Sequence, residues 1–363
     1  MGLSHGPLQG LRVLELAGLG PASFAAMLLA DMGADVVRVV RPGHKEMEKG
    51  ATLRGRTQVE LDLRNEQGKA SILRLATHAD ALIEGFRPGV MERLGLGPET
   101  LHAVNPRLVY GRMTGWGQTG PRAPTAGHDI DYIAITGALH CIGGDEPAVP
   151  LNLLGDYGGG ALYLAMGTLA GVLHARASGR GQVVDCAICD GAVSLLSLMH
   201  GLRHIDRWKD ERQSNVLDGA APFYRTYECK DGFRVAVGAI EPQFFALLLR
   251  GLGIDGRAFG EQNDRSMWQA QSAHIAAAFR SRPRSEWLAI FNGSDACVAP
   301  VNTLSGSLQD EHLLARGAFV EVSGERQPAP APRFDRTPSV ARGSVAAADV
   351  EEVCAAWGAV FPG

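Results

Sequence analysis

The chain has 363 residues, 45% hydrophobic and 20% charged, the composition of a globular protein long enough for two domains. Lys+Arg 35 against Asp+Glu 39 leaves a formal net charge of −4, so no basic excess marks nucleic acid or an anionic membrane as partner, and any anion site must be local. The six cysteines are scattered, the start lacks a charged-then-apolar leader, and no stretch reaches the length of a membrane span; the expectation is a cytoplasmic protein with reduced thiols.

From residue 11 short apolar strands alternate with helical stretches: strand 11–16, helix 21–32, strand 35–40, strand 59–63, helix 66–77, strand 81–86 and strand 108–114. This rhythm predicts an α/β fold, a Rossmann-like large domain built on a parallel sheet. The first strand runs into Gly18-Leu19-Gly20, two glycines of a three-glycine anion turn in the right strand-to-helix context. Where a nicotinamide enzyme offers an acidic residue after the second strand, this chain has Arg38 and Arg41, which suit a phosphorylated or ring-stacked nucleotide better than NAD. Arg54, Arg56 and Arg87 fall in further candidate strand-end loops within reach of a diphosphate.

The run 115–127 is turn chemistry throughout. Gly127-His128-Asp129-Ile130 then places an imidazole at a helix start, where it tends to stay neutral and able to accept a proton; the plainer alternative is a structural hydrogen-bonder. Asp156, followed by Gly158, Gly159 and Gly160, leads into an apolar helix predicted over 157–177. A carboxylate in that first turn, with open amides and glycines that let backbone meet a ligand, offers a base and oxyanion donors at one spot; the alternative is a capping Asp. Cys186 and Cys189 form a single CxxC, read as packing, and His200 with His204, four apart without an intervening Glu, as a solvated helix face.

Past residue 203 the stretch 204–221 reads as a linker. A β-hairpin over 223–229 and 233–237, around Lys230-Asp-Gly232, opens a smaller α+β domain, 222–315, with helices 243–251, 267–279 and 285–291. Glu241 precedes the first of these as a capping candidate. A second linker spans 316–327, the Pro-rich 327–333 is a stiff connector, and an amphipathic helix 346–357 returns to the first domain, so the large domain comprises 1–203 with 328–363.

Taken together, Gly10-Leu-Arg-Val-Leu-Glu-Leu, Gly33-Ala-Asp-Val-Val-Arg, Glu84-Gly-Phe-Arg-Pro-Gly, Met113-Thr-Gly-Trp-Gly-Gln-Thr-Gly-Pro, Ala126-Gly-His-Asp-Ile and Ser294-Asp-Ala-Cys-Val make the chain resemble the class III CoA-transferase and α-methylacyl-CoA racemase superfamily, close to bacterial 2-methylacyl-CoA racemases. The resemblance implies an interlocked homodimer, with each active site between the large domain of one subunit and the small domain of the other. It implies Arg41 by the CoA adenine, and Arg38, Ala51, Leu53 and Arg54 near the nucleotide; Leu19 and Arg87 complete the expected CoA contacts. The residues matching His128 and Asp156 are the two proton-transfer groups on opposite faces of the substrate, and the one matching Glu241 hydrogen-bonds the His.

The implied reaction is epimerisation of 2-methylacyl-CoA thioesters at C2 through an enolate, with no metal and no cofactor for the chemistry, CoA being part of the substrate. The amides of Asp156 and its glycine neighbours are the expected holders of the enolate oxygen. The rival in the same superfamily is a CoA-transferase with Asp156 as nucleophile. Transferases of that group tend to carry a glycine run where this chain has Gly238-Ala-Ile-Glu-Pro, and they lack the His/Glu pair. A third reading is a CoA-binding protein without catalysis.

Overall fold

A computed structural model describes residues 6–18, 20–44, 50–343 and 346–358. The chain divides into two compact units, residues 1–136, 151–195 and 311–363 forming the first and residues 137–150 and 196–310 the second.

In the first unit the apolar runs become parallel strands: β1 (Arg12–Leu16), β2 (Asp35–Val40), β3 (Arg56–Glu60), β4 (Ala81–Glu84) and β5 (Val109–Thr114). Between them come helices α1 (Pro21–Asp31) and α2 (Glu66–His78). A short helix α3 (Asp129–Ala134) follows, then a π-helical segment (Leu153–Ala161), helix α4 (Leu162–Ser178), strand β6 (Val183–Ala187) and helix α5 (Ile188–Leu195). Because side chains alternate across a strand, Val13 and Val36 face a core with Ala22, Ala25, Leu29, Leu164 and Val172. Leu14, Val37 and Leu82 face the opposite core with Ile72 and Leu75. Burial on both faces is what continuous runs such as Val36-Val37 encode.

The second unit is built on strands β7 (Tyr224–Glu228) and β8 (Arg234–Gly238), helices α6 (Pro242–Leu252), α7 (Trp268–Phe279) and α8 (Arg284–Phe291), and strand β9 (Val298–Pro300). β7, β8 and β9 form one antiparallel sheet. Its core is aromatic: Phe223, Tyr227, Phe245, Phe279, Trp287 and Phe291. Residues 137–150 and 196–203, assigned to the large domain from sequence, pack in this unit, where the Arg212 guanidinium donates to the carbonyls of His140, Gly144 and Asp145.

The chain returns to the first unit through the hairpin β10 (Phe319–Val322) and β11 (Glu325–Pro328), which occupies the stretch read as a linker. It closes with strand β12 (Ala346–Ala347) and helix α9 (Val350–Gly358), where the sequence had suggested one helix. Pairing with Thr57 and Gln58 draws Ala346 and Ala347 into the ladder. α9 buries Val353 and Trp357 in the α2-side core, and Trp357 Nε1 donates to Asp35. The parallel sheet therefore has seven strands in the order β12-β3-β2-β1-β4-β5-β6. The order reverses at β1 and β4, and open sheets of this kind bind ligands beyond the carboxyl ends of the strands at such a reversal.

Candidate active site

His128 precedes α3 with extended backbone, and its N–H donates to Asp131 Oδ2 at 2.9 Å. The side chain of Asp131 thus caps the helix that His128 starts, and the imidazole is left exposed. Tyr132, one turn along, fixes the same loop from beneath. Its hydroxyl donates to the Gly127 carbonyl and its ring meets Trp116 edge-on at 4.8 Å. A β-carbon at Gly115 would overlap the Cε1–Cζ edge of that ring, and one at Gly127 would lie 2.7 Å from it. These glycines of the turn-rich run are therefore there to admit an aromatic ring. The run is also tied to the sheet, since Gln118 N donates to Asp185 on β6 and Cys189 N to the Gly115 carbonyl.

Asp156 lies in the first turn of the π-helical segment that runs on into α4, and the wide i to i+5 bonding there is visible in Tyr157 N donating to Asn152 O at 3.1 Å. Its glycines serve packing. A β-carbon on Gly159 would lie 2.8 Å from Ala192 N, and one on Gly160 would lie 3.0 Å from the Ile188 side chain and 3.3 Å from Pro21. The segment thus meets α5 backbone to backbone, and Phe24 of α1 stacks on Tyr157 at 4.1 Å. The Asp156 amide, expected to be an open oxyanion donor, instead donates to Asp129 Oδ1 at 2.6 Å.

The Asp156 carboxylate is half-buried beside Gly20, whose φ of 72° only glycine adopts easily and whose missing β-carbon would stand 3.5 Å from Asp156 Oδ2. Burial, and next the charge of Asp156, push the Tyr132 phenol up to about 12, while Arg87 pulls it the other way. Asp156, Tyr132, Arg87 and the turn after β1 therefore lie together beyond the carboxyl ends of β1 and β4. His128 is carried on the loop that Tyr132 holds.

Asp129, which the sequence reading passed over, links the two expected proton-transfer residues. It follows His128 in the chain, is 9% exposed, and binds the segment carrying Asp156. Burial holds its carboxyl above the usual range, against the amides of Asp156 and Gly155. The only hint in the sequence was an acid immediately after the His; its partner lies 27 residues on.

The expected nucleotide contacts divide. Leu19 lies outside the described residues. Arg38 turns into the interior, 2% exposed, with Nε 3.5 Å from Glu15 and Nη1 3.5 Å from Gln58. Arg56 shares Glu15 at 2.9 Å. Arg54 is clamped on both prongs by Asp31, at 2.9 and 2.6 Å, and donates to Gln327 and Pro328. These guanidiniums organise the interior next to α1, because a buried Arg must be paired. Ala51 is half-buried and Leu53 buried in the single turn Gly50–Leu53. Arg41 and Arg87 are exposed, and neither forms an ion pair among the described residues.

In the second unit Glu241 precedes α6, with Pro242 in the first turn and its own side chain exposed. The loop that presents it is held by Gln262 Nε2, which donates to Ile240 O at 2.8 Å and Ala239 O at 3.3 Å. In the CxxC, Cys186 donates to Gly160 O and burial pushes its thiol up to about 12, while burial also raises the Cys189 thiol. Among the described residues no helix is long and apolar enough to cross a membrane.

The family model for CoA-transferase family III matches residues 8–348. Alpha-methylacyl-CoA racemase of Mus musculus is 45% identical, over 92% of this chain and 88% of the mouse protein. The Homo sapiens protein of the same name is 43% identical over the same shares of each. A solved structure of a CAIB/BAIF family protein from Brucella suis superposes with a TM-score of 0.80 at 25% identity, covering 98% of this chain and 99% of that one. The chain belongs to CoA-transferase family III.

Proposed function

We propose that this protein is an isomerase, an alpha-methylacyl-CoA racemase that epimerises 2-methylacyl-CoA thioesters at C2. The observation that carries the reading is the bond from the Asp156 amide to Asp129, the residue that follows His128, in a chain 45% identical to a racemase of that name. A proton beside a thioester carbonyl is a very weak acid, so removing it needs a placed base and held negative charge on the oxygen. In one direction neutral His128 takes the C2 proton, and a protonated Asp156 delivers one to the opposite face. The groups end as imidazolium and carboxylate, the forms the reverse direction requires.

With the Asp156 amide engaged, the oxyanion donors fall to the first-turn amides of α3, Asp129 and Ile130, which have no partner within their own helix. By the family resemblance Glu241 is the carboxylate that partners the catalytic histidine and stabilises its charged form, as a carboxylate does for histidine elsewhere. Arg41 and Arg87 take the nucleotide and phosphates of CoA. The chemistry needs no further cofactor, because the thioester itself supplies the electron sink. A homodimer is part of the reading, supported by the exposed apolar stripe of α4, where Leu162, Met166 and Leu173 are 52%, 60% and 68% exposed.

The test is incubation with a 2-methylacyl-CoA in heavy water. Deuterium is expected at C2 in both epimers, and His128→Ala is expected to lower its entry by about 10²–10⁴-fold. Full-rate exchange in that variant would refute the assignment. A hydroxylamine-trapped acyl adduct on Asp156 that depends on an acceptor acid would replace it with CoA transfer.

A further inference from the structure

We infer that Asp129 is a positioning residue, a clamp that fixes the π-helical segment carrying Asp156 against the helix that begins at His128. The inference rests on the proposed roles of those two groups and adds the element that sets their spacing. Three observations carry it. Asp129 occupies the first position of α3, so its backbone is continuous with that of His128. Its Oδ1 accepts the Asp156 amide at 2.6 Å, while the side chain is 9% exposed, in surroundings of low dielectric where such a bond is strong.

The third observation is Gly155. A β-carbon there would fall on Asp129 Oδ1, 2.8 Å from Cγ and 3.0 Å from the Ile133 side chain. The glycine before Asp156 is thus shaped to the carboxylate of Asp129. In a π-helical stretch the backbone has more than one way to bond. A charged acceptor anchored in a different helix selects one of them. The clamp is the Asp129 carboxylate, a group separate from that residue's own amide; it touches neither substrate nor thioester and acts through Asp156.

The test compares Asp129→Ala and Asp129→Asn with the wild type in heavy water, using (2R)-2-methyldecanoyl-CoA as probe. Removing the acceptor frees Asp156 to move by a fraction of an ångström to an ångström, so kcat is expected to fall about 10²-fold, with KM within about threefold of wild type. The Asn variant keeps one acceptor oxygen and is expected to lie between the two. The decisive ratio is deuterium in recovered starting epimer to deuterium in product epimer. It does not depend on how much enzyme is folded, and it is expected to shift in the Ala variant and return towards wild type in the Asn variant. An unchanged ratio, with kcat reduced only in step with the folded fraction, overturns the clamp.

A second arm is independent of activity. Hydrogen exchange over residues 153–161 is expected to speed up at least about tenfold in the Ala variant, as a lost bond frees a protected amide. Unaltered protection overturns the clamp even if activity falls. If the wild type exchanges no C2 proton, the proposed reaction fails, and the protection arm still decides the clamp.

Discussion

At the scale of single residues, the site is shaped as much by absent β-carbons as by functional groups. Gly115 and Gly155 each leave room for a specific neighbour, the Tyr132 ring and the Asp129 carboxylate. Gly115 makes the sharper case, because its β-carbon would overlap an edge of the Tyr132 ring and the obstacle is a rigid aromatic wedged against Trp116. Gly115→Ala must expel Tyr132 or displace the chain, a form of overpacking that costs roughly 1–3 kcal/mol. It would also carry Gly127 and His128 with it. The expected outcome is a lowered denaturant midpoint together with a loss of C2 exchange larger than the unfolded fraction explains. Wild-type values of both would show that the loop is not set by this ring.

At the scale of elements, what the sequence discloses and what it hides follow from the range of the causes. The sheet was legible because burial on both faces is a local demand, met by runs such as Asp35–Val40. The hairpin and helices of the small unit were legible through turn residues and spacing. The π-helical segment was not, because its geometry depends on Gly159 and Gly160 meeting α5 and on Asp129 capturing an amide, contacts distant in sequence. For the same reason Arg38 and Arg54 read as ligand contacts. Nothing local announces that Glu15 and Asp31 await them inside.

α4 raises the complementary question, since its apolar residues do not all find the core. Leu164, Ala165, Thr168 and Val172 are buried, whereas Leu162, Met166 and Leu173 lie on the open side. A helix apolar all round is normally covered all round, and the proposed second copy supplies the cover. Replacing both Met166 and Leu173 by Glu is expected to give monomers in sedimentation velocity with far-ultraviolet circular dichroism unchanged. A dimer that persists would place the interface elsewhere.

At the scale of the whole molecule, the formal charge of −4 conceals an interior rich in ions. Glu15 lies between Arg38 and Arg56, and Glu84 at the end of β4 meets Arg112 of β5 at 3.0 Å. Arg112 also reaches Glu92, at 2.7 Å, on the rim. Glu84 is fully buried, accepts the Phe86 amide at 2.6 Å, and its carboxyl is raised to about 7. Burial is the largest cause, and the Phe86 amide and Arg112 only partly offset it. The sign follows from linkage. Between about 4.5 and about 7 the folded protein holds a proton at Glu84 that the unfolded chain has released, so this group's contribution to stability is complete below about 4.5 and lost as pH rises through about 7. Glu84→Gln cannot ionise and leaves Arg112 its bond to Glu92. The variant's thermal midpoint relative to wild type is therefore expected to improve steadily from pH 4.5 to 7 and to level off above. A difference that stays flat across that window would mean Glu84 is ionised throughout, with Arg112 neutralising it fully. Because the Phe86 amide bonded to Glu84 immediately precedes Arg87, the same titration should also reach the site, weakening CoA binding as pH falls below about 7 in the wild type but not in the Gln variant.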